Sequence, residues 1–265
     1  MKDFILLIPY FNDLEGLIAS LKSISYPTGE FEILVVDDGS KTSLNADLLK
    51  TKFPSISITV LNMPANGGVA KALNAGLKSI HSRKGFKYIA RLDCGDTCTK
   101  ERFTEQVKFM NDHSEIGLLG TWCQFKDSAS GKSYLYKTKT SHDDILKEMH
   151  FKCSFIHPTV MFKSEILETI GYYPENYAHA EDYAYFWEIL KSYKGEILPE
   201  VNVCIVMNTK TISAKYFKKQ ILSRIEIIKN FGNITSLKLE GILLNYMRIL
   251  IPIRFMQKIK LLLYK

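Results

Sequence analysis

Several short polar clusters in this chain carry residue types that can do chemistry. Asp93-Cys94-Gly95-Asp96 sets two carboxylates three positions apart on a turn. Such a pair can converge on one hard divalent cation, since Mg²⁺ and Mn²⁺ prefer oxygen ligands and usually take one or two carboxylates together with substrate phosphates. The same four residues also suit an Asx turn that only ends a strand. Asp37-Asp38-Gly39-Ser40 offers a carboxylate able to accept hydrogen bonds from a ribose or a base, and equally a common D-G turn. In Pro9-Tyr10-Phe11-Asn12 an aromatic can stack on a base or staple a helix entry. Glu181-Asp182 precedes an apolar run, where two acids by themselves answer the positive end of a helix. Neither a G-x-G-x-x-G fingerprint nor a Walker A loop follows the first apolar run.

These clusters need elements to position them. Phe4 to Ile8 reads as a buried strand, with Asn12 as helix cap, Glu15 as its capping-box partner, and Leu14, Leu17, Ile18, Leu21 and Ile24 at helical spacing. Phe31–Val36, Ile56–Leu61 and Tyr88–Leu92 read as three further strands, each ending in Asp, Asn or Gly. A helix face runs from Val69 to Ile80. A third helix is expected after a Thr99 cap, with Phe103, Val107 and Met110 inward. Gly117–Trp122, Phe155–Phe162 and Val201–Met207 are strand-like, Asp182–Leu190 is helical, and the chain reads as helix from Ile212 on. The alternation predicts an α/β fold with a mostly parallel sheet and helices on both faces, in which ligands bind at the carboxyl ends of the strands.

The 265 residues are 46% hydrophobic and 24% charged, which suits one large domain or one domain with an appendage and excludes a generally disordered chain. Five cysteines with no C-x-x-C pair argue against a disulfide scaffold or a four-cysteine zinc site, and suggest a reducing compartment. The net charge of +7 is concentrated in the tail. Residues 210–265 hold twelve Lys or Arg against Glu226 and Glu240, so the rest of the chain is slightly acidic. That distribution argues against nucleic acid as a partner and for an anionic membrane surface, because the basic residues alternate with Ile, Leu, Met, Phe and Tyr. No secretory signal is expected, the run Phe4–Ile8 being too short for one. The most apolar stretch, Ile242–Leu263, is interrupted by Asn245, Arg248, Pro252, Arg254, Lys258 and Lys260.

The ordered series Ile8-Pro9-Tyr10-Phe11-Asn12, Val35 to Ser40, Asn66 to Gly76, Ala90 to Asp96, Ile156 to Phe162 and Ala180-Glu181-Asp182-Tyr183 resembles the family 2 glycosyltransferases, in particular the bacterial branch that builds O-antigen and exopolysaccharide. The resemblance covers about residues 3–195. By its own pattern the basic amphipathic helical tail, residues 210–265, either packs on the catalytic domain as a solvated helical pair or attaches to a membrane surface. The resemblance implies a GT-A fold over residues 1–209. It further implies inverting transfer of a hexose from a nucleotide sugar, a UDP-sugar by expectation, to a polyprenyl-diphosphate-linked acceptor. The implied place is the cytoplasmic face of the cell membrane, with the tail as a peripheral anchor.

By position, the resemblance puts Pro9 and Phe11 beside the base and Asp38 on the uracil or ribose. Asn66 and Gly68 would line the nucleotide pocket, with Arg91 and Asp93 bordering the sugar. Asp96 would be the principal ligand of Mn²⁺ or Mg²⁺, with Asp93 beside it. Asp182 matches the second acid of the family's pair and would be the base that deprotonates the acceptor, with Glu181 and His179 near the acceptor. His157 is either a core histidine or a contact of the diphosphate, the metal or the acceptor. The chain departs from the family at Gly95, where a third acid is usual. Two rivals are a nucleotidyltransferase of similar architecture and a non-catalytic scaffold of the same fold. The first usually shows a Gly-rich loop after strand one, and Gly95 is the one feature that favours the second.

Overall fold

The computed structural model describes residues 1–207 and 216–251. The first half alternates strand and helix: β1 (Lys2–Tyr10), α1 (Leu14–Ser23), β2 (Phe31–Asp37), α2 (Ala46–Lys52), β3 (Ile58–Asn62), α3 (Val69–Arg83) and β4 (Phe86–Arg91). The second half holds β5 (Thr97–Cys98), α4 (Arg102–Asp112), β6 (Ile116–Asp127), β7 (Ser133–Tyr136), α5 (His142–Glu148), a 3₁₀ turn at His157–Thr159, β8 (Met161–Lys163), α6 (Ile166–Thr169), α7 (Glu181–Leu190) and β9 (Lys194–Met207). Helices α8 (Phe217–Phe231) and α9 (Thr235–Leu250) follow.

The strands form one sheet in the order β3-β2-β1-β4-β8-β6-β9-β5, with β7 paired to β6. Strands β3, β2, β1 and β4 run parallel, as the alternation requires. Beyond β4 the sheet is mixed: β8 is antiparallel to both β4 and β6, while β6 and β9 are parallel. Phe4 to Ile8 of β1 are fully buried because helices cover both faces. Their side chains alternate, with Ile5 and Leu7 packing among residues of α3, α7 and α8. Phe4, Leu6 and Ile8 pack against α1 and α4 on the other face.

Three local expectations change. The cap of α1 is Asp13, whose carboxylate accepts from the Gly16 amide, while Asn12 turns into the left-handed region at φ 52°. Thr99 caps nothing; its hydroxyl bonds to Asn202 Oδ1, and α4 starts after Glu101. The expected strand 155–162 is a 3₁₀ turn followed by a short strand, since Pro158 has no amide for a ladder.

The expected tail helix is a hairpin docked on the body. The hairpin begins within the described residues at Tyr216, so the start of the tail at 210 and the helical reading from Ile212 lie outside them. Helix α8 buries Ile221, Ile225, Ile227 and Ile228. Helix α9 buries only Gly241 and Asn245. Asn245 Nδ2 and Arg248 Nη1 both donate to the Phe151 carbonyl, at 3.1 and 3.0 Å. A Cβ on Gly241 would lie 1.8 Å from the His150 carbonyl oxygen, so α9 approaches that segment at a distance only glycine allows. Gly241→Ala is expected to cost about 2 kcal/mol. That corresponds to roughly 4–8 °C in the thermal unfolding midpoint. Calorimetry of the full chain reads this directly, and an unchanged midpoint contradicts the docking.

Candidate functional site

The parallel register sets the strand ends side by side. Tyr10 aligns with Asp37, and Asp37 with Asn62, while Arg91 aligns with Leu7. The loops after β1, β2, β3 and β4 therefore leave one edge of the sheet. At the opposite edge a depression of about 390 Å³ is lined by Lys2, Glu32 and Arg83, where Glu32 pairs with both cations.

In the loop after β2 the two aspartates divide the work. Asp37 accepts from the Ser40 and Leu44 amides at 2.9 and 2.8 Å and holds the turn. Asp38 reaches across to the β3–α3 loop. Its Oδ1 accepts from the Gly67 amide at 2.7 Å, and its Oδ2 accepts from the Gly68 amide and Asn66 Nδ2, both at 2.9 Å. Three residues named from the sequence, Asp38, Asn66 and Gly68, are thus one knot at the start of α3. Both oxygens of Asp38 are engaged by the loop, so here it shapes the loop expected to line the nucleotide pocket. Gly39 makes the approach possible: its φ is 67°, and a Cβ there would lie 2.3 Å from the Ala65 carbonyl carbon. Asn12 joins the first loop to the second, its amide donating to Ser40 Oγ and its Oδ1 accepting from the Lys41 amide, each at 2.9 Å. Pro9 is partly buried beside them, and Phe11 projects from the edge with its ring half exposed.

At the end of β4 the Arg91 side chain is fully buried. It donates to the Leu7 carbonyl, to Asp93 Oδ1 at 2.7 Å and to His157 Nε2 at 3.4 Å. His157 Nε2 also lies 2.9 Å from the Tyr173 hydroxyl. Arginine only donates, so Nε2 must accept, and the imidazole is neutral with its proton on Nδ1. Burial and then the Arg91 charge hold the His157 pKa well below its usual value. Tyr173 is fixed in turn by Asn74, which donates to its carbonyl and accepts from its amide, both at 2.9 Å. Arg102 lies beneath, also fully buried, and donates to the Arg91 carbonyl at 2.7 Å. Burial lowers its pKa to about 10.

The turn after β4 carries the acidic pair. Asp96 is 6% exposed, and among the described residues its carboxylate accepts one hydrogen bond, to Oδ1 from the Val206 amide at 3.0 Å. Burial and the neighbouring Asp93 push its pKa up to about 8. A buried carboxylate beside another, held by a single amide, suits a hard divalent cation, which would relieve the repulsion. The Cys94 thiol is pushed to about 12, first by burial and then by Asp13, Asp93 and Asp96, and hard divalent cations prefer oxygen to sulfur ligands. Gly95 sits at φ 95°, with its amide donating to Ser20 Oγ at 3.0 Å. An acid at this position would be strained, so the turn is built for two carboxylates. The nearest third one is Asp13, whose Oδ2 lies 3.7 Å from where a Gly95 Cβ would stand. Among the described residues no group of three or more His, Cys, Asp or Glu side chains is arranged to hold a metal.

Glu181 and Asp182 open α7, where no side chain caps the helix. Asp182 Oδ1 accepts from the Tyr183 amide at 2.8 Å. Burial pushes Asp182 up to about 6, and burial followed by the charge of Asp182 pushes Glu181 up to about 7. The charge of Asp93 reaches both. The β4 turn and the α7 pair, almost ninety residues apart in the sequence, therefore share one electrostatic site. His179 precedes them at φ 62° and stacks on Tyr216 of the hairpin, with centroids 4.2 Å apart.

Sequence reasoning missed Asn74, Tyr173 and Arg102. Asn74 lies inside the Asn66–Gly76 stretch, where an amide on the buried face of α3 was the available signal. Tyr173 and Arg102 had none, because their partners come from other segments.

The model of the family described as "Glycosyl transferase family 2" matches residues 5–171. The amylovoran biosynthesis glycosyltransferase AmsE of Erwinia amylovora is 28% identical over 267 residues, covering 96% of both chains. A UDP-Gal:alpha-D-GlcNAc-diphosphoundecaprenol beta-1,3-galactosyltransferase of Escherichia coli is 24% identical, covering 81% of this chain and 76% of its own. Among solved structures, residues 1–349 of S. aureus TarS superpose with a TM-score of 0.67 at 19% identity, covering 91% of this chain and 69% of that one. The same TarS fragment has been solved with UDP-GlcNAc.

Arg91 is the buried cation on which the site rests. Arg91→Met leaves the Leu7 carbonyl and His157 without their donor, and urea unfolding is expected to show a loss of about 2–4 kcal/mol. A loss below about 1 kcal/mol, typical of a surface pair, contradicts the assignment.

Proposed function

The chain belongs to glycosyl transferase family 2, and from that premise we propose that it transfers a hexose from a UDP-sugar to a polyprenyl-diphosphate-linked saccharide, with inversion to a β-linkage. The observation that carries this reading is the shared site of Asp93, Asp96 and the Glu181–Asp182 pair at the carboxyl end of the parallel strands. The choice of donor and acceptor is supported by what relatives are named for: the E. coli enzyme for UDP-Gal and a diphosphoundecaprenol acceptor, and AmsE for exopolysaccharide synthesis.

Asp182 acts as the general base. It takes the proton of the acceptor hydroxyl as that oxygen bonds to the anomeric carbon, while the bond from that carbon to the diphosphate oxygen breaks on the opposite face. Asp93 and Asp96 would hold Mn²⁺ or Mg²⁺, which would supply positive charge to the departing nucleoside diphosphate. Arg91 fixes the direction of Asp93. Pro9 and Phe11 flank the base, Asn66 and Gly68 line the nucleotide through the loop that Asp38 holds, and Glu181 and His179 border the acceptor.

The deciding experiment is a panel of nucleotide sugars, with and without EDTA, against a synthetic lipid-diphosphate acceptor, with the product linkage read by NMR. Transfer from a UDP-hexose, lost on chelation and restored by Mn²⁺ or Mg²⁺, is expected. Asp182→Asn is expected to abolish transfer while donor binding, measured by calorimetry, persists. A base works in its ionised form, so kcat/KM of the parent enzyme should rise with pH and level off above about 6. Near-normal turnover by Asp182→Asn, or a rate flat from pH 5 to 7, removes the base assignment.

Membrane attachment forms part of this proposal. Leu239, Leu243, Tyr246, Met247 and Leu250 are exposed along one side of α9, away from the Gly241 and Asn245 side that docks. Among the described residues no helix is long and apolar enough to cross a membrane. We assign the stripe to an anionic leaflet, because Lys229 and Lys238 lie on the same hairpin and the acceptor is lipid-borne. The remainder of the apolar stretch, with Arg254, Lys258 and Lys260, lies outside the described residues. The double variant Leu239→Glu/Leu243→Glu should lose about tenfold or more in affinity for anionic vesicles. Its melting midpoint should stay unchanged, and undiminished flotation with vesicles refutes the anchor.

A further inference from the structure

Helix α8 is tied to the three residues just before the turn into α7. Gln220 Nε2 donates to the His179 carbonyl and Ser223 Oγ to the Ala178 carbonyl, each at 2.9 Å. Asn230 Nδ2 donates to the Tyr177 hydroxyl at 3.0 Å, and the Tyr216 ring stacks on His179. The hairpin therefore sets the approach to Glu181-Asp182 as well as lying on the surface of the body.

The next residue along α8 after Ser223 is Arg224. It is partly buried, and its charge acts on Asp182, Tyr183 and Cys153. Among the described residues it makes no ion pair and no hydrogen bond, in contrast to Arg83, Arg91, Arg102 and Arg248. A guanidinium carries five donors, and taking it even partly out of water is costly unless an anion receives them. Asp182 does not serve, since its Oδ1 is bonded within its own helix and no ion pair joins the two. A ligand that bridges the two would offer an anion to Arg224 and a hydroxyl to Asp182. Arginine is the residue suited to bidentate recognition of phosphate.

We propose that Arg224 is an acceptor-binding residue, its guanidinium receiving a phosphate of the acceptor's diphosphate while Asp182 faces the hydroxyl to be glycosylated. This rests on the function proposed above. It adds that the C-terminal hairpin supplies part of the acceptor site, so that enzyme attachment and acceptor recognition reside in the same element. It also requires that the preceding reaction be a transfer that leaves the acceptor sugar on a diphosphate.

The test uses the full chain in neutral detergent, which removes anionic headgroups as a source of phosphate. Two acceptors carry the same sugar, one on a lipid diphosphate and one on a neutral alkyl chain. Arg224→Gln is expected to raise KM for the diphosphate acceptor about tenfold or more. The preference for that acceptor over the neutral one should collapse, and Arg224→Lys should recover part of it. An unchanged preference, or a rise in the donor KM instead, overturns the proposal. So does an equal loss on both acceptors with a displaced acid limb of the pH profile, which would mean that Arg224 only tunes Asp182. Where Arg224→Gln melts well below the parent, Arg224→Lys decides: a preference equal to the parent's overturns the proposal, and a reduced one supports it. Failure of the parent to use any lipid-diphosphate acceptor falls on the proposed function itself, whereas transfer by the parent with an indifferent Arg224 falls on this inference alone.

Discussion

A positive charge with no access to water organises the centre of this protein. The Arg91 guanidinium is fully buried at the end of β4, where isolation would cost several kcal/mol. It is tolerated because separate pieces of chain supply acceptors: the Leu7 carbonyl of β1, the Asp93 carboxylate of the following turn and the His157 imidazole of the 3₁₀ turn. Arg102 of α4 braces the same strand end through the Arg91 carbonyl. Each partner is directed by this requirement. Asp93 has one oxygen turned inward, and His157 must present an unprotonated Nε2. The sheet end and the acidic turn are therefore one rigid unit.

Around that cation the carboxylates are arranged against their own ionisation. Asp96, Glu181 and Asp182 all have pKa values raised, first by burial and then by further carboxylates in the site. For such groups the folded state prefers the protonated form. Their contribution to stability is full below the pKa of the unfolded chain and is lost as pH rises through about 6 to 8. At neutral pH the cluster works against the fold, the pattern expected where a site is kept ready for a cation and for proton transfer. The paired acid Glu32, at the other edge of the sheet, shows the opposite: Lys2, Arg83 and Thr59 bond to it and lower its pKa against the opposing effect of burial.

The C-terminal hairpin has two faces with different physics. One is polar and shape-specific, with Gln220, Ser223, Asn230, Asn245 and Arg248 bonding to backbone or side chains of the body. The other exposes Leu239, Leu243 and Leu250. A helix held by hydrogen bonds on one side and bare of partners on the other can sit between a folded body and an apolar phase.

Local pattern was enough for the alternating first half, because a run such as Phe4–Ile8 has no stable place except inside a covered sheet. It also sufficed for the location of the acidic turns, since strand ends in such sheets must carry turn residues. The ordered motifs carried the family. Tertiary structure decided what no single segment contains. Asn12 looked like a helix cap, but the helix took Asp13 and left Asn12 to join two loops. Asp38 looked free to meet a ligand, but its oxygens are occupied by a loop almost thirty residues on. Arg91 read as a residue bordering the sugar, whereas its full burial depends on partners from three other places. Hydrophobic periodicity is a property of neighbours in sequence and survives in the one-dimensional record. The satisfaction of buried charge is a property of neighbours in space, and only the folded chain determines which those are.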